Sequence, residues 1–215
     1  MNKKSSLILA LDVLSRDEAL RLSEQLGSYF DAIKIGYPLI LHAGLGIVGE
    51  ICTSIPVIAD LKIADIPNTN RLICEAVLGA GATAIIAQAF PGRDSLLACA
   101  DCARDFAADL FVVTEMSHPG AEEFMAPVAE RMARLAVETG ASGVVAPATR
   151  PDRIRLIRSM IGERLIISPG VGAQGGSPGG ALEAGADYLI VGRQIYGSAD
   201  PLASTKELIE SLRTG

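Results

Sequence analysis

Residues 56–65, Pro56-Val57-Ile58-Ala59-Asp60-Leu61-Lys62-Ile63-Ala64-Asp65, pass from an apolar run into three charged side chains within six residues. Pro56 to Ala59 reads as a buried strand that ends there, and charges crowded at a buried strand end are costly unless they are used. Positions i and i+2 of a strand share a face, so Asp60 and Lys62 should project side by side as an ion pair. Asp65 falls beyond the strand, in the turn before Pro67-Asn68-Thr69-Asn70, where it can reach its own site or a neighbouring subunit. An Asp-x-Lys pair alone is often only a weak surface salt bridge. What surrounds this one gives it another meaning.

The same plan, an apolar run ending near a charge and then a helical pattern, recurs on both sides. Leu7 to Asp12 precedes a helix start at Ser15-Arg16-Asp17-Glu18. Asp31 to Gly36 precedes a helical stretch from Gly44 to Ser54, and the Asp60 strand precedes a helix from about Pro67 to Leu78. Thr83 to Gln88 is followed by a helix from about Asp94, Leu110 to Glu115 by one from about Ala126 to Glu138, and Gly143 to Pro147 by one after Pro151. Arg164 to Ser168 and Asp187 to Val191 supply two last strands, each leading into a glycine-containing turn. Eight units at roughly 25-residue spacing, with no linker between them, predict one (β/α)8 TIM barrel over residues 1–215. The strands are almost continuously apolar, as a sheet covered by helices requires. Gly170-Val171-Gly172-Ala173-Gln174-Gly175 matches G-x-G-x-x-G and would support a doubly wound open sheet. That fingerprint expects further βα units and an acid near the end of the next strand, whereas one strand follows and Asp187 begins it.

A chain of 215 residues with 49% hydrophobic residues can bury a sizeable single core. Cys52, Cys74, Cys99 and Cys102 lack paired spacing and read as reduced core thiols; Cys99-x-x-Cys102 lies in a helical pattern, without the partners a zinc site needs. The start, with Lys3-Lys4 before an apolar run, imitates a signal peptide, but Asp12 interrupts it and no cleavage pattern follows. A cytoplasmic location is expected. No apolar stretch reaches the ~18 residues of a membrane span. A net charge of −6 without a basic cluster argues against nucleic acid as a partner.

In such a barrel the carboxyl ends of the strands converge on one face and supply the catalytic residues. They offer Asp12, Lys34, Asp60 with Lys62, Gln88, Glu115 with Ser117, Pro147, Ser168, and Gly192 with Arg193. Lysines and acids on neighbouring strands would form an alternating array that keeps each lysine protonated, and a protonated lysine can act as a general acid. Gly170 to Gly176 offers unobstructed backbone amides, and Gly192-Arg193 adds a guanidinium, at the position where phosphate-binding barrels grip their ligand. His42 reads as structural, and His118, before a proline, as a loop-capping residue. There is no Ser/His/Asp nucleophile set and no metal-ligating cluster at the strand ends.

Assembled, these residues give a chain that resembles the orotidine 5'-phosphate decarboxylases of the short archaeal type over nearly its whole length. The resemblance rests on Leu9-Ala10-Leu11-Asp12, Lys34-Ile35-Gly36-Tyr37-Pro38, Asp60 to Pro67, Thr114-Glu115-Met116-Ser117-His118-Pro119-Gly120, Ser168 to Gly176, and Val191-Gly192-Arg193. It implies decarboxylation of orotidine 5'-phosphate to uridine 5'-phosphate and carbon dioxide without a cofactor. Lys62 would deliver a proton to C6 and Asp60 would lie against the departing carboxylate. Asp65, from the partner of a homodimer, would complete the array with Lys34, and Ile66 and Thr69 would cross the interface with it. Asp12 and Lys34 would hold ribose hydroxyls, Ser117 the pyrimidine amide edge, and Gln174 both base and phosphate. Pro169 would contact the substrate, and Gly192 with Arg193 would bind its phosphate. Ile86, Val113 and Val145 would suit the departing carbon dioxide. Gln88 stands where the resemblance leads one to expect a histidine.

Two other functions are compatible with parts of this pattern. A magnesium-dependent relative acting on a pentulose or hexulose phosphate shares the D-x-K-x-x-D strand but should need further acids and histidines, and the chain has two histidines. A non-catalytic nucleotide-binding barrel would have no use for an intact Asp60/Lys62/Asp65 set.

Overall fold

The computed structural model describes residues 3–172 and 174–214; Met1-Asn2 of the signal-like start and Ala173 of the glycine-rich stretch lie outside the described residues. In chain order the elements are β1 (Leu7–Leu11), α1 (Arg16–Leu26), β2 (Ala32–Gly36), α2 (Tyr37–Ala43), α3 (Ile47–Cys52), β3 (Val57–Ile63), α4 (Pro67–Gly79), β4 (Ala84–Gln88), α5 (Arg93–Asp105) and β5 (Asp109–Val113). They continue with α6 (Ala121–Phe124), α7 (Ala129–Glu138), β6 (Gly143–Val145), α8 (Pro151–Ile161), β7 (Leu165–Pro169), α9 (Pro178–Glu183), β8 (Tyr188–Val191), α10 (Arg193–Tyr196) and α11 (Pro201–Thr214). The strands are parallel and close in sequence order, with β8 returning to β1. The barrel expected from the eight repeated units is the fold, and the open-sheet reading of the G-x-G-x-x-G match is excluded.

Strand periodicity divides the side chains between two cores. Leu7, Leu9 and Leu11 point outward into the layer shared with the helices, while Ile8 and Ala10 point into the barrel. Inside, large residues meet small ones on the neighbouring strand: Ile8 pairs with Ala32, Ile58 with Ala84 and Phe111 with Gly143. Alternation of this kind fills a tapering interior without voids. Gly143 has no room to be anything else, since a Cβ there would sit 2.3 Å from the Leu165 carbonyl oxygen and 2.9 Å from the Phe111 ring. The helices present one apolar stripe inward. In α7 the buried residues are Ala129, Met132, Ala133 and Ala136, at the i, i+3, i+4, i+7 spacing of a single face. Cys99 and Cys102 obey the same rule in α5, and both are buried free thiols, as is Cys74.

Several boundaries differ from the sequence reading, for identifiable reasons. The helical stretch expected over Gly44 to Ser54 is the shorter α3, and an unanticipated helix, α2, precedes it; Gly44, with φ +79°, terminates α2 and separates the two. The third strand does not end at Ala59 but runs to Ile63, and the helix expected from Ala126 begins with a single 3-10 turn before α7. Among the described residues no helix is long and apolar enough to cross a membrane.

Candidate active site

Because inward-facing residues alternate, the site follows from continuing each inner row past the core. The row Ile8, Ala10 continues to Asp12; the row Ala32, Lys34 ends at Gly36; the row Ile58, Asp60 leads to Lys62. Asp12, Lys34, Asp60 and Lys62 accordingly line one cavity of about 510 Å³ at the carboxyl ends of the strands, a volume suited to a small organic ligand.

The Lys62 side chain reaches Asp60 through a distortion. Along β3, Ala59 is in register with Ile85 and Ile63 with Ala87, so four steps on β3 match two on β4. Lys62 sits in this irregularity with φ +41°, one of three non-glycine residues with positive φ among those described. A bulge re-aims a side chain, and a left-handed lysine is held at a cost of about 1–2 kcal/mol. The expected i, i+2 pairing is thus present, but a regular strand does not produce it.

The charges alternate. The Lys62 ammonium lies 2.9 Å from both carboxylate oxygens of Asp60. The Lys34 ammonium lies 3.1 Å from the Asp60 carboxylate and 3.6 Å from that of Asp12. The Asp60 and Lys34 side chains are only 8% and 9% exposed, whereas Lys62 and Asp12 at 35% and 37% face the cavity. Burial penalises the Lys34 ammonium, yet Asp60 and then Asp12 outweigh it and hold its pKa above the ordinary 10.5. Burial likewise penalises the Asp60 carboxylate, and Lys34 with Lys62 hold its pKa below the ordinary 3.8. Both groups are therefore charged at neutral pH. Tyr37, whose hydroxyl donates to the Leu61 carbonyl, is pushed up by burial and by Asp60 and stays protonated.

Opposite the charges the wall is apolar, formed by Ile86, Val113 and Val145. Met116 and Ser117 close one side, and Thr149 donates a 3.3 Å hydrogen bond to the Ser117 carbonyl. The far end is lined by Pro169, Gly170, Gln174, Gly192 and Arg193. The Gly170 to Gly176 turn is folded on itself by the Gly176 amide donating to the Gly170 carbonyl and the Gly172 amide donating to the Gly176 carbonyl. Gly170 has φ +101°, and a Cβ at Gly176 would lie 2.6 Å from the Gly170 carbonyl oxygen. Arg193 is exposed and has no carboxylate partner among the described residues.

Most of the anticipated positions meet here and some do not. Gln88, Glu115, Pro147 and Ser168 do not line the cavity. Ser168 follows Ile167 in β7 and so faces outward, fully buried. Glu115 is also fully buried, gripped by Arg150 at 2.8 Å and Arg153 at 2.7 Å, and so anchors the loop that carries Ser117. Asp65, Ile66 and Thr69 lie outside the cavity of a single chain, at the start of α4, with Asp65 and Ile66 exposed. His42 accepts its place in α2 through a 2.8 Å contact between its ring nitrogen and the Pro38 carbonyl, away from the cavity. Tyr37, Met116 and Tyr196 line the cavity without having been singled out. Tyr37 directly follows the Lys34-Ile35-Gly36 strand end, and that adjacency was the available signal.

A parallel (β/α)8 barrel whose strand ends carry an Asp/Lys charge array facing an apolar wall belongs to the TIM-barrel enzymes. Residues 5–208 match the orotidine 5'-phosphate decarboxylase / HUMPS family, and the chain belongs to that family as a carboxy-lyase. It is 58% identical over 213 residues to an orotidine 5'-phosphate decarboxylase of Methanococcoides burtonii, covering 99% of each chain. To the enzyme of that name from Methanosarcina acetivorans it is 56% identical over 214 residues, covering 99% of this chain and 97% of the relative. Among solved structures, the orotidine 5'-monophosphate decarboxylase of Methanocaldococcus jannaschii complexed with the inhibitor BMP superimposes with a TM-score of 0.92. The two share 44% identity over 96% of this chain and 97% of that one.

Proposed function

We propose that the protein converts orotidine 5'-phosphate to uridine 5'-phosphate and carbon dioxide, the decarboxylation step of pyrimidine nucleotide biosynthesis, without a cofactor and with Lys62 as the proton donor. The observation that carries this reading is the buried Asp60 carboxylate between two ammonium groups, with Lys62 turned toward the cavity by a strained backbone. When the bond from C6 to the carboxylate breaks, the electron pair remains at C6 in the plane of the ring, where resonance cannot spread it. The Lys62 ammonium transfers a proton to that pair, and the resulting amine regains its proton from solvent. Asp60 keeps the ammonium fixed in advance, so the attraction to the developing carbanion costs no reorganisation. Asp60 also lies where the substrate carboxylate would be, and Ile86, Val113 and Val145 offer the departing carbon dioxide an apolar surface.

One ammonium does not suffice. At 4 Å and an effective dielectric of 20, two unit charges attract by about 4 kcal/mol, whereas enzymatic rate enhancements call for about 8–23 kcal/mol. The remainder is assigned to binding energy from parts of the substrate that do not react. Asp12 and Lys34 hold ribose hydroxyls, Ser117 and Pro169 position the base, Gln174 bridges base and phosphate, and Gly192 with Arg193 binds the phosphate. The enzyme acts as a homodimer in which Asp65, Ile66 and Thr69 enter the neighbouring site. The exposure of Ile66 at 64% and Leu72 at 58%, on and just before α4, supports an interface there.

The test is the loss of the orotate absorbance from orotidine 5'-phosphate on adding purified protein with excess EDTA. Rapid conversion to uridine 5'-phosphate is expected. A folded protein that binds the nucleotide and leaves it unchanged would refute the assignment.

A further inference from the structure

Asp65 is exposed, yet both its backbone amide and its backbone carbonyl are held by side chains. Its amide donates to Asn70 Oδ1 at 2.9 Å, and its carbonyl accepts from Ser95 Oγ at 2.5 Å. Asn70 Nδ2 donates in turn to Ser95 Oγ at 2.7 Å and to the Ser95 carbonyl at 3.1 Å, which closes a ring of hydrogen bonds around the backbone of one residue. Asn70 is 1% exposed and Ser95 3%, so the bonds between these two form away from water. The two side chains come from the first turns of α4 and α5 and tie those turns together. Burying an amide and a hydroxyl is justified only when both are fully paired, and a fully paired network of this kind fixes its members in one arrangement. The Asp65 carboxylate adds one contact, accepting from the Ile66 amide at 2.7 Å, and is otherwise presented outward.

We infer that Asn70 and Ser95 are positioning residues for Asp65, holding its carboxylate for use in the active site of the partner subunit. This rests on the reading that the site is shared across a homodimer with Asp65 as its fourth charge. A misplacement of about 1 Å at a reacting centre can cost ~100-fold in rate, so loosening Asp65 should be expensive although neither residue touches the substrate. Asn70→Ala and Ser95→Ala should each lower kcat by about 10–100-fold with little change in KM, because the phosphate and ribose contacts of the same chain are untouched. Ser95→Thr, which keeps the hydroxyl, should recover most of the lost kcat. Ser95→Ala is the milder change, so it serves if Asn70→Ala does not fold.

The decisive experiment is complementation between full-length variants, since a defect in Asp65 placement must act in trans. Lys62→Ala chains are inactive through their own site but still lend the partner an intact Asp65. Mixing them under exchange conditions with Asn70→Ala or Ser95→Ala chains should restore activity, because one site of each mixed dimer joins Lys62 to a well-held Asp65. An Asp65→Ala and Lys62→Ala mixture run in parallel tests the shared site itself. Restoration in that control but not with the Asn70 or Ser95 variants would overturn the positioning role while leaving the shared site standing. Failure of both would overturn the shared site and the inference with it.

Discussion

The backbone at Lys62 supports a quantitative test, because its positive φ separates what the residue does for the fold from what it does for the reaction. Lys62→Ala and Lys62→Gly remove the same ammonium, so the lost ion pair with Asp60 cancels when the two variants are compared. What remains is the backbone. Alanine keeps the left-handed strain that lysine carries at φ +41°, worth about 1–2 kcal/mol, whereas glycine relieves it. Glycine in turn loses about 0.5–1 kcal/mol through its freer unfolded chain. The glycine variant should therefore be the more stable by about 0.5–1 kcal/mol, a reversal of the usual order within a strand. For a domain of this size that is a difference of about 1–4 °C in Tm, measurable by calorimetry or by urea unfolding followed by circular dichroism. Both variants should be equally devoid of turnover. An alanine variant as stable as the glycine variant, or more so, would refute the claim that strain is stored at the proton donor.

Asp60→Asn should destabilise the fold by about 3–5 kcal/mol at neutral pH, since it leaves the nearly buried Lys34 ammonium with Asp12 alone. Because Asp60 has a depressed pKa in the folded state, its contribution is complete above its ordinary 3.8 and is lost as pH falls through the lower folded value. Lys34, with its raised pKa, contributes fully below 10.5 and loses that contribution only as pH rises through the higher folded value, so the acid limb belongs to Asp60. In urea unfolding the gap between wild type and Asp60→Asn should thus hold from pH 7 down to 3.8 and narrow progressively below it, and a gap that stays constant below that pH would contradict the array. Arg193→Ala should weaken uridine 5'-phosphate about 10–100-fold, the worth of charge-assisted hydrogen bonds to phosphate, and leave uridine unaffected in calorimetric titration. Gly176→Ala should cost about 1–3 kcal/mol of stability, because its Cβ would lie 2.6 Å from the Gly170 carbonyl oxygen and 3.0 Å from the Ala148 backbone. A variant with unchanged Tm would show that the turn has room to shift.

Much of the fold could be read from the chain because the strands are mainly apolar runs, several of them carrying charges toward their carboxyl ends, a pattern that a sheet covered on both faces explains. The strand ends then offered Asp12 and Lys34, and counting in twos put Lys62 beside Asp60, a pairing that a bulge rather than a regular strand delivers. Taking strand ends without their parity fails at Ser168, within β7, and parity itself no longer helps at Glu115, beyond the end of β5. Ser168 and Glu115 were drawn from strand ends, but Ser168 lies on the outward parity and Glu115 is captured by Arg150 and Arg153, a long-range pairing that spacing does not reveal. The Gly44 boundary was missed because a glycine at the end of a helix and one at its start look alike in sequence. The bulge at Lys62 was invisible for another reason: it is defined by register against β4, a property of two strands together. Asn70 and Ser95 lie 25 residues apart and carry no motif of their own, so their ring around Asp65 emerges only from the packing of α4 on α5.

The central claim is that the Lys62 ammonium, held by Asp60, gives the proton to C6, and single-turnover decarboxylation of orotidine 5'-phosphate by wild type and Lys62→Ala tests it most directly. Nucleotide binding would be measured on the same preparations by titration with uridine 5'-phosphate. The account predicts that Lys62→Ala binds the nucleotide measurably and releases no detectable carbon dioxide. Near-normal decarboxylation by a folded Lys62→Ala enzyme would contradict it.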